Sequence, residues 1–294
     1  MNEITKLLKK YAAESDQVLG KIFEDNGIYL SETLISAMKY TLFSGGKRLR
    51  PILSRMVAEI IGGDIESAML VGNAIEMIHS YSLIHDDLPS MDNDEYRRGK
   101  LTNHRVYGTG VAILAGDGLL TYAFNILTKL NLPAEKIVKI IELISYSAGV
   151  QGMVGGQLLD LEAENKEIGL TEMIEIHRAK TGALFKCSIL AGAYCGDPTI
   201  EEINALEKYA EKLGLTFQIV DDILDVIGDE EKLGKKTGSD QKLDKSTYPK
   251  LLGLAKTRQE VEKNASEAKD VLSIFGGKAD ILKNLMDFIV SRQS

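Results

Sequence analysis

Apolar residues return every three or four positions along almost the whole chain. Ile4, Leu7, Leu8 and Tyr11 share one helical face, as do Leu34, Ile35, Met38 and Leu42, and again Ile52, Leu53, Met56, Val57 and Ile60. Strict alternation of apolar and polar residues, the mark of a half-buried strand, is hard to find. All five prolines stand at segment edges, as in Asp197-Pro198-Thr199-Ile200-Glu201-Glu202, where Asp197 reads as an N-cap and Pro198 as the first helical residue. These signals predict about ten or more helices, at roughly 2–24, 31–43, 50–61, 65–87, 109–129, 135–163, 171–194, 199–227, 248–272 and 278–291. No fixed period repeats, which argues against a solenoid. No Pro/Gly/Ser-rich stretch divides the chain, so 1–294 is read as a single all-α domain.

Composition narrows the classes. A length of 294 residues is near the upper limit for one hydrophobic core, and 44% hydrophobic with 6% aromatic residues and no Trp suits a large helical protein. Thirty-five basic against 43 acidic residues leave a net charge of −8, a field that repels nucleic acid and anionic membranes. An anionic ligand therefore needs local cations or metal ions. Cys187 and Cys195 match no metal spacing and read as buried thiols. Glu3, Glu14 and Asp16 among the N-terminal lysines, with no apolar run, match neither a signal nor a transit peptide. Charge is expected to interrupt the apolar stretches before the ~18 residues a membrane span needs. A cytoplasmic location is expected.

Two acidic clusters carry the chemistry: Asp86-Asp87-Leu-Pro-Ser-Met-Asp92 and Asp221-Asp222-Ile-Leu-Asp225. Pro89 and Gly228 are stop signals, so both clusters are expected at helix C-termini, against the negative end of the dipole at about 0.3–1 kcal/mol each. Oxygen-only ligands there call for a divalent cation, Mg2+ before zinc or copper, with phosphate as the companion ligand. The spacing of Asp221 and Asp225 puts both on one helical face, and Asp92 is able to return toward Asp86 from a loop. Taken singly, either cluster also reads as a solvated face. A calcium loop starting at Asp92 fails, because Arg97 stands where Gly is needed and Asn103 where the last Glu belongs. A P-loop over Gly228–Thr237 fails too, being one residue too long and following a helix.

Basic residues complement the acids. Gly45-Gly46-Lys47-Arg48-Leu49-Arg50-Pro51 sets three cations behind two glycines at a helix start, suited to gripping a diphosphate. Arg97 and Arg98 follow the first acid cluster, and His79 lies two turns before Asp86. Lys180-Thr181-Gly182 and Lys235-Lys236 add donors. Gly149, Gly152, Gly155 and Gly156 are read as permitting close helix contact, with Gln157 and Asp160 one turn apart facing a cavity. No Ser-His-Asp arrangement or reactive Cys is evident. Departure of diphosphate from carbon fits acids, metals and cationic clamps without a protein nucleophile.

With these motifs, joined by Gly155-Gly156-Gln157-x-x-Asp160, Phe217-Gln218 before the second acid cluster and Lys245-Ser246-Thr247-Tyr248-Pro249, the chain resembles the trans-isoprenyl diphosphate synthases over nearly its whole length. Within that family it is most similar to the bacterial-type farnesyl diphosphate synthases. The resemblance implies an isoprenoid synthase fold, helices around a deep central cavity, and a homodimer. It implies that Asp86, Asp92 and Asp221 bind Mg2+, three ions per site with Mn2+ as a substitute, supported by Asp87, Asp222 and Asp225. It assigns Lys47, Arg50, His79 and Arg98 to isopentenyl diphosphate, and Arg97, Lys180, Thr181, Gln218 and Lys235 to the allylic diphosphate. Catalytic roles fall on Asp86, Asp92, Asp221, Lys180 and Lys235. Leu101, where the family usually has Pro, and Asp244, where Gly is common, are local departures.

The implied reaction is a head-to-tail condensation. Ionisation of the allylic C–O bond gives a carbocation, isopentenyl diphosphate attacks it, and a proton leaves. Tyr81 and Ser82, five and four residues before Asp86, are placed on the path of the growing tail and would limit the product to farnesyl diphosphate. A geranylgeranyl or geranyl diphosphate synthase is the alternative. A terpene cyclase would need only the allylic site, and a non-catalytic subunit would lack intact Asp motifs.

Overall fold

The computed structural model describes residues 3–24, 30–164, 166–227 and 246–292. Within them the chain is helical almost throughout: α1 (Glu3–Glu24), α2 (Glu32–Leu42), α3 (Leu49–Ile61), α4 (Ile65–Asp86), α5 (Asn103–Tyr107), α6 (Thr109–Leu127), α7 (Ala134–Ala148), α8 (Met153–Ala163), α9 (Leu170–His177), α10 (Ala183–Tyr194), α11 (Ile200–Ile227), α12 (Tyr248–Leu252), α13 (Leu254–Val271) and α14 (Asp280–Ser291). The all-α class follows the periodicity. Caps explain several starts: Ser31 accepts from Leu34 N–H, Asp64 from Ser67 N–H at 2.7 Å and Thr247 from Lys250 N–H.

The centre is α4. Its apolar residues run around the whole helix, including Val71, Ala74, Ile75, Met77 and Ile78, as a helix buried on all sides requires. It packs against α3, α6, α10, α1 and α2, while α11 packs against α10, α13 and α14. Gly72 permits the α3–α4 contact, since a Cβ there would lie 2.3 Å from Pro51 Cα.

Five expectations need correction. The helix predicted over 248–272 is α12 and α13, parted at Gly253, whose φ of 77° no continuous helix adopts. The helix predicted over 135–163 is two helices, because the chain leaves helical geometry between Gly149 and Gly152; a Cβ on Gly152 would meet Ser147 O at 1.9 Å. Asp197 is not a cap. The cap of α11 is Thr199, whose hydroxyl accepts from Glu202 N–H at 3.2 Å while Glu202 accepts from Thr199 N–H at 2.8 Å, a reciprocal capping box. Between Asp92 and α5 a small hairpin pairs Tyr96 with Leu101 and Arg97 with Lys100. Its strands are too short to show alternation, and the turn residues Arg98 and Gly99 both have positive φ, 53° and 75°. Finally, Thr109–Leu127 is long and apolar enough to cross a membrane by length and composition. Its single charge, Asp117, is too little to take it below that limit; one face of α6, including Ala112, Ala115, Gly116 and Leu119, is buried in the core.

Candidate active site

A cavity of about 1020 Å³ opens between α3, α4, α8, α10 and α11. It brings together Lys47, Arg50, His79, Tyr81, Ser82, Asp86, Arg98, Gln157, Lys180, Thr181, Gln218 and Asp221, residues that span most of the sequence. Met153, Leu158, Leu161, Leu184 and Phe217 supply apolar wall.

The first acid cluster ends α4. Asp86 is its last residue and Asp87 its C-cap, and Asp92 N–H bonds back to Asp86 O at 2.9 Å, which folds the loop onto the helix end. Burial pushes the Asp86 carboxyl up to about 6; nearby Lys180 works against this, and the Asp92 and Asp87 charges add to it. Neither Asp86 nor Asp92 forms an ion pair with a described residue. Asp87 does: it is buried under Arg97, whose Nε and Nη2 approach Oδ1 at 2.7 and 2.6 Å. Arg97 is not among the residues that line the cavity, and its guanidinium braces the acid loop in this conformation.

The second cluster sits in the final turns of α11, with Asp225 nearer the end than Asp221. Asp222 is buried and structural, accepting from Tyr248 N–H at 3.0 Å and Gln218 Nε2 at 3.2 Å. Asp225 is buried as well. Asp221 faces the cavity and pairs with Arg292 Nη2 at 2.5 Å. Arg292 is a cavity-lining residue the sequence did not reveal. It follows α14, lies 4.0 Å over the Phe217 ring and donates to Phe217 O.

The basic side is equally defined. The Arg50 guanidinium stacks 4.9 Å from the Phe185 ring, and its buried Nε has no hydrogen-bond partner. Burial lowers its pKa while Glu76 and Asp221 support the charge. His79 is held well below the usual imidazole range by burial and by Arg50, Arg98, Arg97 and Arg48, so it is neutral. Arg98 reaches from the hairpin turn to Gly45 O. Gly46 leaves room for it, since a Cβ would lie 2.8 Å from Arg98 Nη1. Burial and Arg292 lower the Lys47 pKa, and Asp221 opposes them.

Lys180 and Thr181 stand on a π-helical turn, Arg178–Gly182, that joins α9 to α10. Such wide turns are frequent at functional sites. Lys180 Nζ bonds Asp160 Oδ2 at 2.7 Å and Thr181 donates to Gln218 Oε1 at 3.2 Å. Gly156 allows this packing, because a Cβ there would lie 2.3 Å from Lys180 N. Gln157 lines the cavity as expected, whereas Asp160 holds Lys180. Lys235, with Gly228, Gly234, Lys236, Thr237, Asp244 and Lys245, lies outside the described residues.

The matching sequence model covers residues 31–277 and is that of the polyprenyl synthetases. The chain belongs to the polyprenyl synthetase family. It is 44% identical to the farnesyl diphosphate synthase of Bacillus subtilis, over 90% of each chain. It is 43% identical to the geranylgeranyl diphosphate synthase of Cyanophora paradoxa, over 100% of this chain and 97% of that one. The fold superimposes with a TM-score of 0.86 on the apo structure of an FPP/GFPP synthase from Zymomonas mobilis, 36% identical, covering 98% of this chain and 99% of the other.

The acids fit the divalent metal that such enzymes use, in one particular way. Among the described residues no three His, Cys, Asp or Glu side chains are gathered as a finished metal centre. A desolvated, unpaired Asp86 beside Asp92 instead provides part of an oxygen shell for a hard cation, leaving positions for phosphate oxygens. Thiols take no part: burial pushes both cysteines up to about 12.

Proposed function

We propose that this prenyltransferase condenses isopentenyl diphosphate with dimethylallyl and geranyl diphosphate and stops at farnesyl diphosphate. The observation that carries the reading is the pairing of opposites in one cavity: a carboxylate at Asp86 that has no ion pair among the described residues, and a guanidinium at Arg50 whose buried Nε has no hydrogen-bond partner. Each suits a different diphosphate, one held through metal and one held directly.

Asp86, Asp92 and Asp221 would hold Mg2+, three ions being the expected complement. Bound there, the metal supplies Lewis-acid neutralisation of the departing diphosphate, worth several kcal/mol. Lys180, Thr181 and Gln218 orient that diphosphate. Arg50, Lys47 and Arg98 hold isopentenyl diphosphate by charge-assisted bonds, and neutral His79 offers a hydrogen bond without adding charge. The apolar wall of Met153, Leu158, Leu184 and Phe217 keeps water from the cation. The proton released on condensation passes to an oxygen of the departed diphosphate.

Tyr81 supports the fifteen-carbon limit. It is buried, lines the cavity with Ser82 and lies about 7.5 Å below Asp86 at 1.5 Å per helical residue. A homodimer is supported by the exposed apolar residues Leu114 on α6, Val138 and Tyr146 on α7, and Leu159 on α8. The test is isopentenyl dependence. Release of inorganic diphosphate from geranyl diphosphate should require isopentenyl diphosphate, and release with formation of a cyclic hydrocarbon in its absence would favour a cyclase.

A further inference from the structure

The basic side of the cavity contains a carboxylate that the reaction does not explain. Glu76 lies one turn before His79 on α4, lines the cavity and is 2% exposed. Its Oε1 accepts a long bond of 3.4 Å from Arg48 Nη1, and its Oε2 has no hydrogen-bond partner. Burying a carboxylate with half its acceptors idle is costly. Glu76 does face cations: its charge supports the protonated forms of both Arg50 and Arg98 against burial.

Arg48 explains how the carboxylate is fixed. Its guanidinium is buried, with Nε 2.7 Å from Asp16 Oδ1 on α1, Nη2 2.7 Å from Leu42 O at the end of α2, and Nη1 3.4 Å from Gly45 O. Its backbone is left-handed, φ 50°, which an arginine rarely adopts and which persists where the surroundings over-determine it. That turn buries the Arg48 side chain at the base of the same cavity that its neighbours Lys47 and Arg50 line. Arg98 is tied to the same loop at Gly45 O.

We propose that Glu76 and Arg48 are positioning residues of the isopentenyl diphosphate subsite. Glu76 is the counter-ion against which Arg50 and Arg98 gather before diphosphate binds, and Arg48 anchors both that carboxylate and the Gly45–Lys47 loop. Without it the guanidinium groups repel and spread. With it, an arriving diphosphate, carrying more charge than one carboxylate, meets an assembled clamp and takes over its free donors. The inference rests on the subsite assignment above.

The experiment titrates isopentenyl diphosphate and geranyl diphosphate separately into wild type, Glu76→Gln and Glu76→Asp, with KM and kcat measured alongside. Glu76→Gln should weaken isopentenyl diphosphate about tenfold or more and leave geranyl diphosphate within about twofold. Its KM for isopentenyl diphosphate should rise far more than kcat falls, and Glu76→Asp should recover part of the loss. Equal weakening of both ligands, or a lower melting temperature with isopentenyl binding unchanged, overturns the proposal, since a merely structural ion pair would behave so. Should Glu76→Gln fail to fold, Arg48→Lys keeps the charge without the fork; the same selective loss supports the proposal and unchanged isopentenyl affinity overturns it. Wild type that binds geranyl but not isopentenyl diphosphate would overturn the subsite assignment itself, and this inference with it.

Discussion

Arg292 Nη2 lies 2.5 Å from Asp221 Oδ1, so a residue beyond the last described helix occupies the carboxylate assigned to metal. The pair is partly buried, and Arg292 is also held by Phe217. A cation and a guanidinium cannot both neutralise one carboxylate fully, so they compete. Arg292→Ala is expected to lower the Mg2+ concentration giving half-maximal turnover by a few-fold, measured at saturating substrates. A higher Mg2+ requirement would mean that Arg292 helps to hold the site and does not compete for it.

Asp86 gives a pH prediction. Its carboxyl rises from 3.8 in the unfolded chain to about 6 in the fold, so the folded protein binds the extra proton between those values. Stability therefore falls as pH rises through that window. In metal-free protein Asp86→Asn should melt at a higher temperature than wild type at pH 8, with the difference shrinking toward pH 4. Mg2+ should then raise the melting temperature of wild type more than that of the variant. Equal melting temperatures at all pH values would show that Asp86 is not desolvated.

Gly156 tests the packing behind Lys180. A Cβ there collides with Ala179 and Lys180 backbone, so α8 or the π-helical turn must shift. Gly156→Ala is expected to destabilise by about 1–3 kcal/mol and to cut turnover at least tenfold. Denaturant melts and steady-state rates check both. Full activity would show that Lys180 tolerates the displacement.

Much of this was legible in the chain. Long amphipathic and all-apolar segments fixed the helices within a few residues, because burial and periodicity agree in α1 and α4. The breaks were less visible: Gly149 to Gly152 sit in an apolar run where nothing but three-dimensional crowding says that the helix stops. The acid and basic motifs were readable as chemistry, but their division of labour was not. Asp222 looks like Asp221 in sequence, yet it accepts from Tyr248 N–H, and Arg97 looks like Arg98, yet it braces Asp87. Such roles depend on which side of a helix or hairpin faces the cavity. Glu76 left one clue, a charge inside an otherwise apolar helix, whereas Arg292 left none.

Tyr81 should set the length of the product. Its ring stands edge-on to His85 with centroids 5.6 Å apart, and His85 fills the space over Gly116, so the tyrosine is braced from beneath the acid cluster. Tyr81→Ala is expected to shift the main product from fifteen carbons to twenty or more. An unchanged product would move the floor of the cavity to other residues.

The most direct measurement incubates the purified chain with Mg2+, dimethylallyl diphosphate and excess isopentenyl diphosphate, and separates the products by chain length. Farnesyl diphosphate should dominate, chelation of the metal should abolish its formation, and Asp86→Ala should reduce it by about 10³-fold or more, equivalent to roughly 4 kcal/mol of barrier. Undiminished condensation in excess chelator, or in Asp86→Ala, would contradict metal-assisted departure of diphosphate at this acid cluster.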